Sequence, residues 1–123
     1  MSRIDPPATD AFLERLAREP LLADGAMGTM LYARGVPFDQ SFDALNLSRP
    51  DLVTAIHLEY IGAGAELIET NTFGANRFRL SRHNLEDQVR HINLAGAAAA
   101  RAAREASGRQ VWIAGSIGPI GRP

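Results

Sequence analysis

The 123-residue chain contains no cysteine and no lysine, and each absence removes a class of chemistry. Without cysteine these residues can form no disulfide, no thiolate zinc site and no cysteine nucleophile. Without lysine there is no phosphate-binding G-x-x-x-x-G-K loop. An excess of either charge is also missing. Thirteen basic residues balance 14 acidic ones along the chain, for a net charge of −1, so there is no electrostatic footprint for nucleic acid or an anionic membrane surface. No window approaches the roughly 18 apolar residues of a membrane span, and residues 1–7 lack a signal-peptide core. A cytoplasmic protein is the default expectation. What is present, 46% hydrophobic and 22% charged residues, suits one globular domain or part of one that handles a small molecule.

Residues 9–19 read as a preliminary helix: Thr9 and Asp10 start it, Phe12, Leu13 and Leu16 form an apolar stripe, and Pro20 ends it. Leu21-Leu22-Ala23 then reads as a short buried strand that breaks at Asp24-Gly25. A long loop follows from Gly25 to Leu47, with one helical turn around residues 28–34. Ser48-Arg49-Pro50-Asp51 has the form of a capped helix start, and Leu52, Val53, Ile56 and Tyr60 recur at helical spacing until Gly62 and Gly64. Residues 65–70 read as a second strand that empties into a polar, glycine-bearing loop. Residues 85–106 read as a long helix with Val89, Ile92, Gly96, Ala99 and Ala103 on one side, ended by Gly108. Val111-Trp112-Ile113-Ala114 is the third strand, with Trp112 expected in the core.

Strands joined by helix-length crossovers must lie parallel, so the fold class is α/β. Both a closed eight-stranded barrel and an open doubly wound sheet use this repeat, and both bind ligands at the carboxyl ends of their strands. Asp24-Gly25-Ala26-Met27-Gly28-Thr29 does not match the dinucleotide fingerprint G-x-G-x-x-G, which argues against nucleotide binding at that turn. Asp24 has two readings. Its carboxylate can hold an ammonium group while the following backbone N–H groups receive a carboxylate, as an amino acid ligand requires, or it can cap its own turn. Thr70, Asn71 and Thr72 can orient a ligand or satisfy loop backbone. His57, His83 and His91 lack metal-ligand spacing and read as surface or packing residues.

Three segments together carry a family resemblance. Leu22-Ala23-Asp24-Gly25-Ala26-Met27-Gly28-Thr29, Glu69-Thr70-Asn71-Thr72-Phe73-Gly74-Ala75-Asn76 and Ala114-Gly115-Ser116-Ile117-Gly118-Pro119 resemble, in order and spacing, the first strand-end signatures of the homocysteine S-methyltransferase family. Leu45-Asn46-Leu47-Ser48-Arg49-Pro50 is similar as well. The resemblance implies a (β/α)8 TIM barrel of which residues 21–123 supply the first three strands with their helices, residues 1–20 being an N-terminal extension. It implies homocysteine as substrate and a methyl-folate or methyl-cobalamin donor, with further domains in the same chain. It also implies zinc as cofactor, held by cysteines on later strands. Carried over, Asp24, Gly25 and Ala26 would hold the amino acid end of homocysteine, and Thr70, Asn71 and Thr72 would line the pocket. Neither metal ligand nor catalytic residue falls in this segment, which reads as a portion truncated after strand three. Two other readings stay open: a barrel fragment without activity, and a barrel lyase or transferase acting on a different small acid.

Overall fold

The computed structural model describes residues 8–121, with side chains from residue 10 onward. The helix expected from Thr9 begins one residue earlier, at Ala8, while the Thr9 side chain and the Arg122-Pro123 tail lie outside the described residues. The elements in order are α1 (Ala8–Arg18), α2 (Gly28–Ala33), α3 (Leu45–Ser48), α4 (Pro50–Gly62), β1 (Leu67–Glu69), α5 (Arg77–Ser81), a 3-10 turn (Glu86–Gln88), α6 (Val89–Ser107) and β2 (Trp112–Ala114). β1 and β2 pair in parallel, with Leu67 opposite Trp112 and Glu69 opposite Ala114. The class is α/β, helix-rich with a small sheet. No described helix is long and apolar enough to cross a membrane.

The first expected strand is reduced to one parallel bridge, Ala23 with Leu67, and Leu22 is 56% exposed instead of buried. The segment pairs with β1 on one side only, through Asp24 N–H to Leu67 O (2.9 Å) and Glu66 N–H to Leu22 O (2.9 Å). Three residues with a neighbour on a single side make too short a ladder to bury both faces. The spatial order is nonetheless the expected one, with residues 21–24, β1 and β2 side by side and their carboxyl ends together.

α4 and α6 cover the sheet and pack on each other. Val53, Ile56, His57 and Ile61 of α4 and Ile92, Gly96, Ala99, Ala100 and Ala103 of α6 are buried. α4 closes with Ala65 N–H bonded to Tyr60 O across Gly64, whose φ of 112° only glycine takes readily. Gly108, at φ 65°, ends α6. The expected cap at Ser48 is not used. Pro50 starts α4, and the Ser48 hydroxyl bonds back to Ala44 O within α3, one turn earlier. α5 replaces part of an expected loop because Asn76 caps it, its side-chain oxygen accepting from Arg79 N–H at 2.9 Å.

α1 is held less by its apolar stripe than by a charge. Leu13 and Leu16 remain exposed, whereas the buried Arg15 forks onto Glu66 (2.8 and 3.1 Å) and donates to Glu19 O and Pro20 O. Trp112 is half-buried against Phe12 in an edge-to-face pair at 5.7 Å, not in the deep core.

Candidate functional site

The carboxyl ends of residues 21–24, β1 and β2 open into a cleft of about 700 Å³. Asp24, Gly25, Ala26, Thr70 and Asn71 all line it, so five of the six residues singled out by sequence come together. The sixth, Thr72, lies beneath and is buried.

Asp24 spans two strand ends: its Oδ2 accepts from Glu69 N–H at 2.9 Å. Its Oδ1 has no exposed surface and no hydrogen-bond partner. Burial pushes the Asp24 carboxyl above the usual carboxylate range, and the nearby Glu69 charge adds to this, against the lowering effect of the Glu69 N–H. Within the described residues, the amide N–H groups of Gly25, Ala26 and Met27 donate to no protein acceptor. Gly25 is bare because a Cβ there would meet the Tyr60 hydroxyl at 3.0 Å, and that hydroxyl donates to Ala26 O at 2.7 Å, fixing the turn. A free anionic acceptor thus adjoins free amide donors, the complement of an α-amino acid.

Thr70 and Thr72 form a closed network. The Thr72 hydroxyl donates to Ser116 O (2.8 Å), which leaves the Thr70 hydroxyl to donate to Thr72 Oγ1 (2.7 Å) while accepting from Ser116 N–H (3.0 Å). Both hydroxyl protons are used, and the network ties the ends of β1 and β2 together. Asn71 donates to Phe42 O (2.9 Å) and Asn46 Oδ1 (3.0 Å), while Asn46 donates to Asn71 O (2.7 Å) and Ile92 O (3.1 Å). α6 can lie over this clasp because position 96 has no side chain: a Cβ there would stand 2.6 Å from Thr72 Cγ2 and 2.8 Å from Asn46 Nδ2.

Sequence reasoning missed the opposite wall. Phe38, stacked on Tyr32 at 4.3 Å and tilted against Phe42, supplies an apolar side. Asp43 accepts from Gly74 N–H at 3.0 Å, and burial raises its carboxyl pKa. Arg79, Arg82 and His83 complete that end. Asn46 carried a detectable signal, an amide between two leucines; Asp43 and Arg79 carried none, since only α5 and the loop before α3 bring them to the cleft. His83 and His91 are exposed, whereas His57 is fully buried with neither ring nitrogen partnered. Among the described residues no group of three or more His, Cys, Asp or Glu could hold a metal ion.

Comparison with known proteins gives the family. Residues 21–123 match the family model described as homocysteine S-methyltransferase. The methionine synthases of Mycobacterium tuberculosis and Mycobacterium leprae are 36% and 35% identical over 116 residues, which is 87% of this chain and 10% of each relative. The metallated form of the homocysteine methyltransferase MmuM from Escherichia coli superposes with a TM-score of 0.76 at 32% identity, covering 88% of this chain and 41% of that one. Its oxidized form gives a TM-score of 0.75 at 34% identity, covering 86% and 40%. This chain thus spans about a tenth of the curated relatives and two fifths of the solved one. On this evidence the chain belongs to the homocysteine S-methyltransferase family.

Proposed function

We propose that residues 21–123 form the first strand–helix units of a (β/α)8 barrel and supply the amino acid pocket of an enzyme that methylates homocysteine to methionine. The observation that carries the reading is the Asp24 Oδ1, buried and unpartnered, beside the unpaired N–H groups of Gly25 and Ala26. Asp24 receives the substrate ammonium. A cation between Asp24 and Glu69 relieves both the desolvation and the like-charge repulsion that raise the Asp24 pKa. The Gly25 and Ala26 amides receive the substrate carboxylate. Thr70 and Asn71 shape the cleft wall, and Thr72 positions Thr70 from below.

In the reaction the homocysteine sulfur attacks the methyl carbon of a folate or corrinoid donor. The new C–S bond forms as the donor–methyl bond breaks. A family zinc ion would favour the thiolate by lowering its pKa. The residues present do not fit such an ion: there is no cysteine and, among the described residues, no ligand cluster. The contribution of this chain is to bind and orient the amino acid end.

Calorimetric titration of homocysteine into the wild type and Asp24→Asn tests this. Asparagine keeps an acceptor for the Glu69 N–H and loses the charge. A charge-assisted hydrogen bond contributes about 1.5–3 kcal/mol, so Kd should rise roughly ten- to a hundredfold. Equal affinities would make Asp24 a strand-end tie and remove the support for this reading.

A further inference from the structure

The cleft has an end that the amino acid reading leaves unused. Asp24 and Glu69 make one end anionic, and Arg79 and Arg82 make the other cationic. Arg79 is the better placed of the two arginines. It is half-buried, its guanidinium carbon stands 5.7 Å from the centre of the Phe73 ring, and its backbone N–H is fixed by the Asn76 cap. The Gly74 backbone gives it room. A Cβ at that position would stand 2.6 Å from Asp43 Oδ2 and 3.3 Å from Arg79 Nε, so the missing side chain is what lets a carboxylate and a guanidinium flank one residue.

Asp43 does not consume the guanidinium. Its Oδ1 is engaged by Gly74 N–H, and no ion pair joins it to Arg79 within the described residues. By contrast, Arg15 and Arg49 are both paired to carboxylates, and Arg109 donates to a backbone carbonyl. A guanidinium carries five donors in a planar fork suited to a carboxylate. Here the fork lines the cleft with the Asp43 carboxylate as an electrostatic neighbour, but among the described residues no ion pair engages it.

We propose that Arg79 is the anion-recognising group of a second subsite, which takes a carboxylate of the methyl donor while the Asp24 end holds the amino acid. The proposal rests on the amino acid reading for the identity of its partner substrate. The shared chemistry, a carboxylate on a guanidinium, could also come from homocysteine itself, and the experiment separates the two sources.

The test follows the Arg79 Nε–H resonance of the full chain labelled with ¹⁵N, assigned by its loss in Arg79→Gln, during titration with glutarate as a carboxylate probe and separately with homocysteine. The expected result is a saturable shift with glutarate, competed by inorganic phosphate, and none with homocysteine. Arg79→Gln should weaken glutarate binding roughly tenfold or more, while Arg79→Lys, which keeps the charge and loses the fork, should recover only part of it. Homocysteine affinity by calorimetry should be the same in all three proteins. A shift of Arg79 by homocysteine alone, or an equal loss of homocysteine affinity in Arg79→Gln, would overturn the second subsite and assign Arg79 to the amino acid. No response to glutarate would overturn it as well. Because glutarate binding at Arg79 does not require homocysteine to bind, failure of the Asp24 reading leaves this test intact.

Discussion

Two groups of polar side chains share the layer at the strand ends, and they differ in whether their hydrogen bonds are complete. In one group, Asn46, Asn71, Thr70 and Thr72 spend their donors on one another and on the carbonyls of Phe42, Asn71, Ile92 and Ser116. In the other, Asp24 Oδ1 and the Gly25 and Ala26 amides meet no partner. Of these only Asp24 Oδ1 is buried, Gly25 and Ala26 being exposed; a buried polar group without a partner costs about 1–3 kcal/mol, so a folded chain tolerates it where something else supplies the bond. The lesson is that sequence adjacency hides the division of labour. Thr70, Asn71 and Thr72 sit beside the pocket and mainly hold it, whereas Asp24 and Gly25 are held open.

That contrast can be broken from the scaffold side. Asn46→Ala should be the most damaging change. It strips donors from the buried Asn71 and Ile92 carbonyls, and should cost about 3–5 kcal/mol in denaturant unfolding, with homocysteine affinity of the folded molecules unchanged. Next comes His57, among the described residues the one side chain outside the cleft with buried polar atoms that lack a partner. Its burial lowers its pKa from 6.5 to about 4. A folded-state pKa below the unfolded one means the unfolded chain takes the proton more readily. Stability is then full above about pH 6.5 and is lost as pH falls toward 4, by about 3 kcal/mol. His57→Leu should flatten melting temperature across that window and raise it at neutral pH. A wild type whose melting temperature is level from pH 7 to 4 would contradict this burial cost. Gly96→Ala is the smallest of the three. Its methyl must push Thr72 and Asn46 aside, at about 1–3 kcal/mol, again without a direct effect on the ligand.

Much of this layout was legible in the chain. Parallel order, the helix α4 with its Val53–Ile56 stripe, and α6 with Gly96 facing inward all follow from periodicity and from where glycine falls. The strand at residues 21–23 was legible in position and not in extent, because ladder length depends on neighbours that periodicity does not report. The exposed Leu13 and Leu16 show the same limit in α1, where a single arginine fork on Glu66 outweighs the apolar stripe. In the site, Asp24-Gly25 stood out as a strand-end pair. The contributions of Asp43, Arg79 and the Tyr32–Phe38 stack depend on how the loop after α2 and the short α5 fold over the cleft, a tertiary matter without a local signature.

The central claim is that an unpaired Asp24 carboxylate awaits a cation, and the pH dependence of homocysteine affinity tests it most directly. Burial and the Glu69 charge raise the Asp24 pKa, so protonation sets in above the usual carboxylate range as pH falls, and a protonated carboxyl no longer attracts the ammonium. The account predicts that wild-type affinity declines on acidification through that raised range, while Asp24→Asn binds weakly and with no such decline. The same acid-dependent loss in both proteins would contradict it.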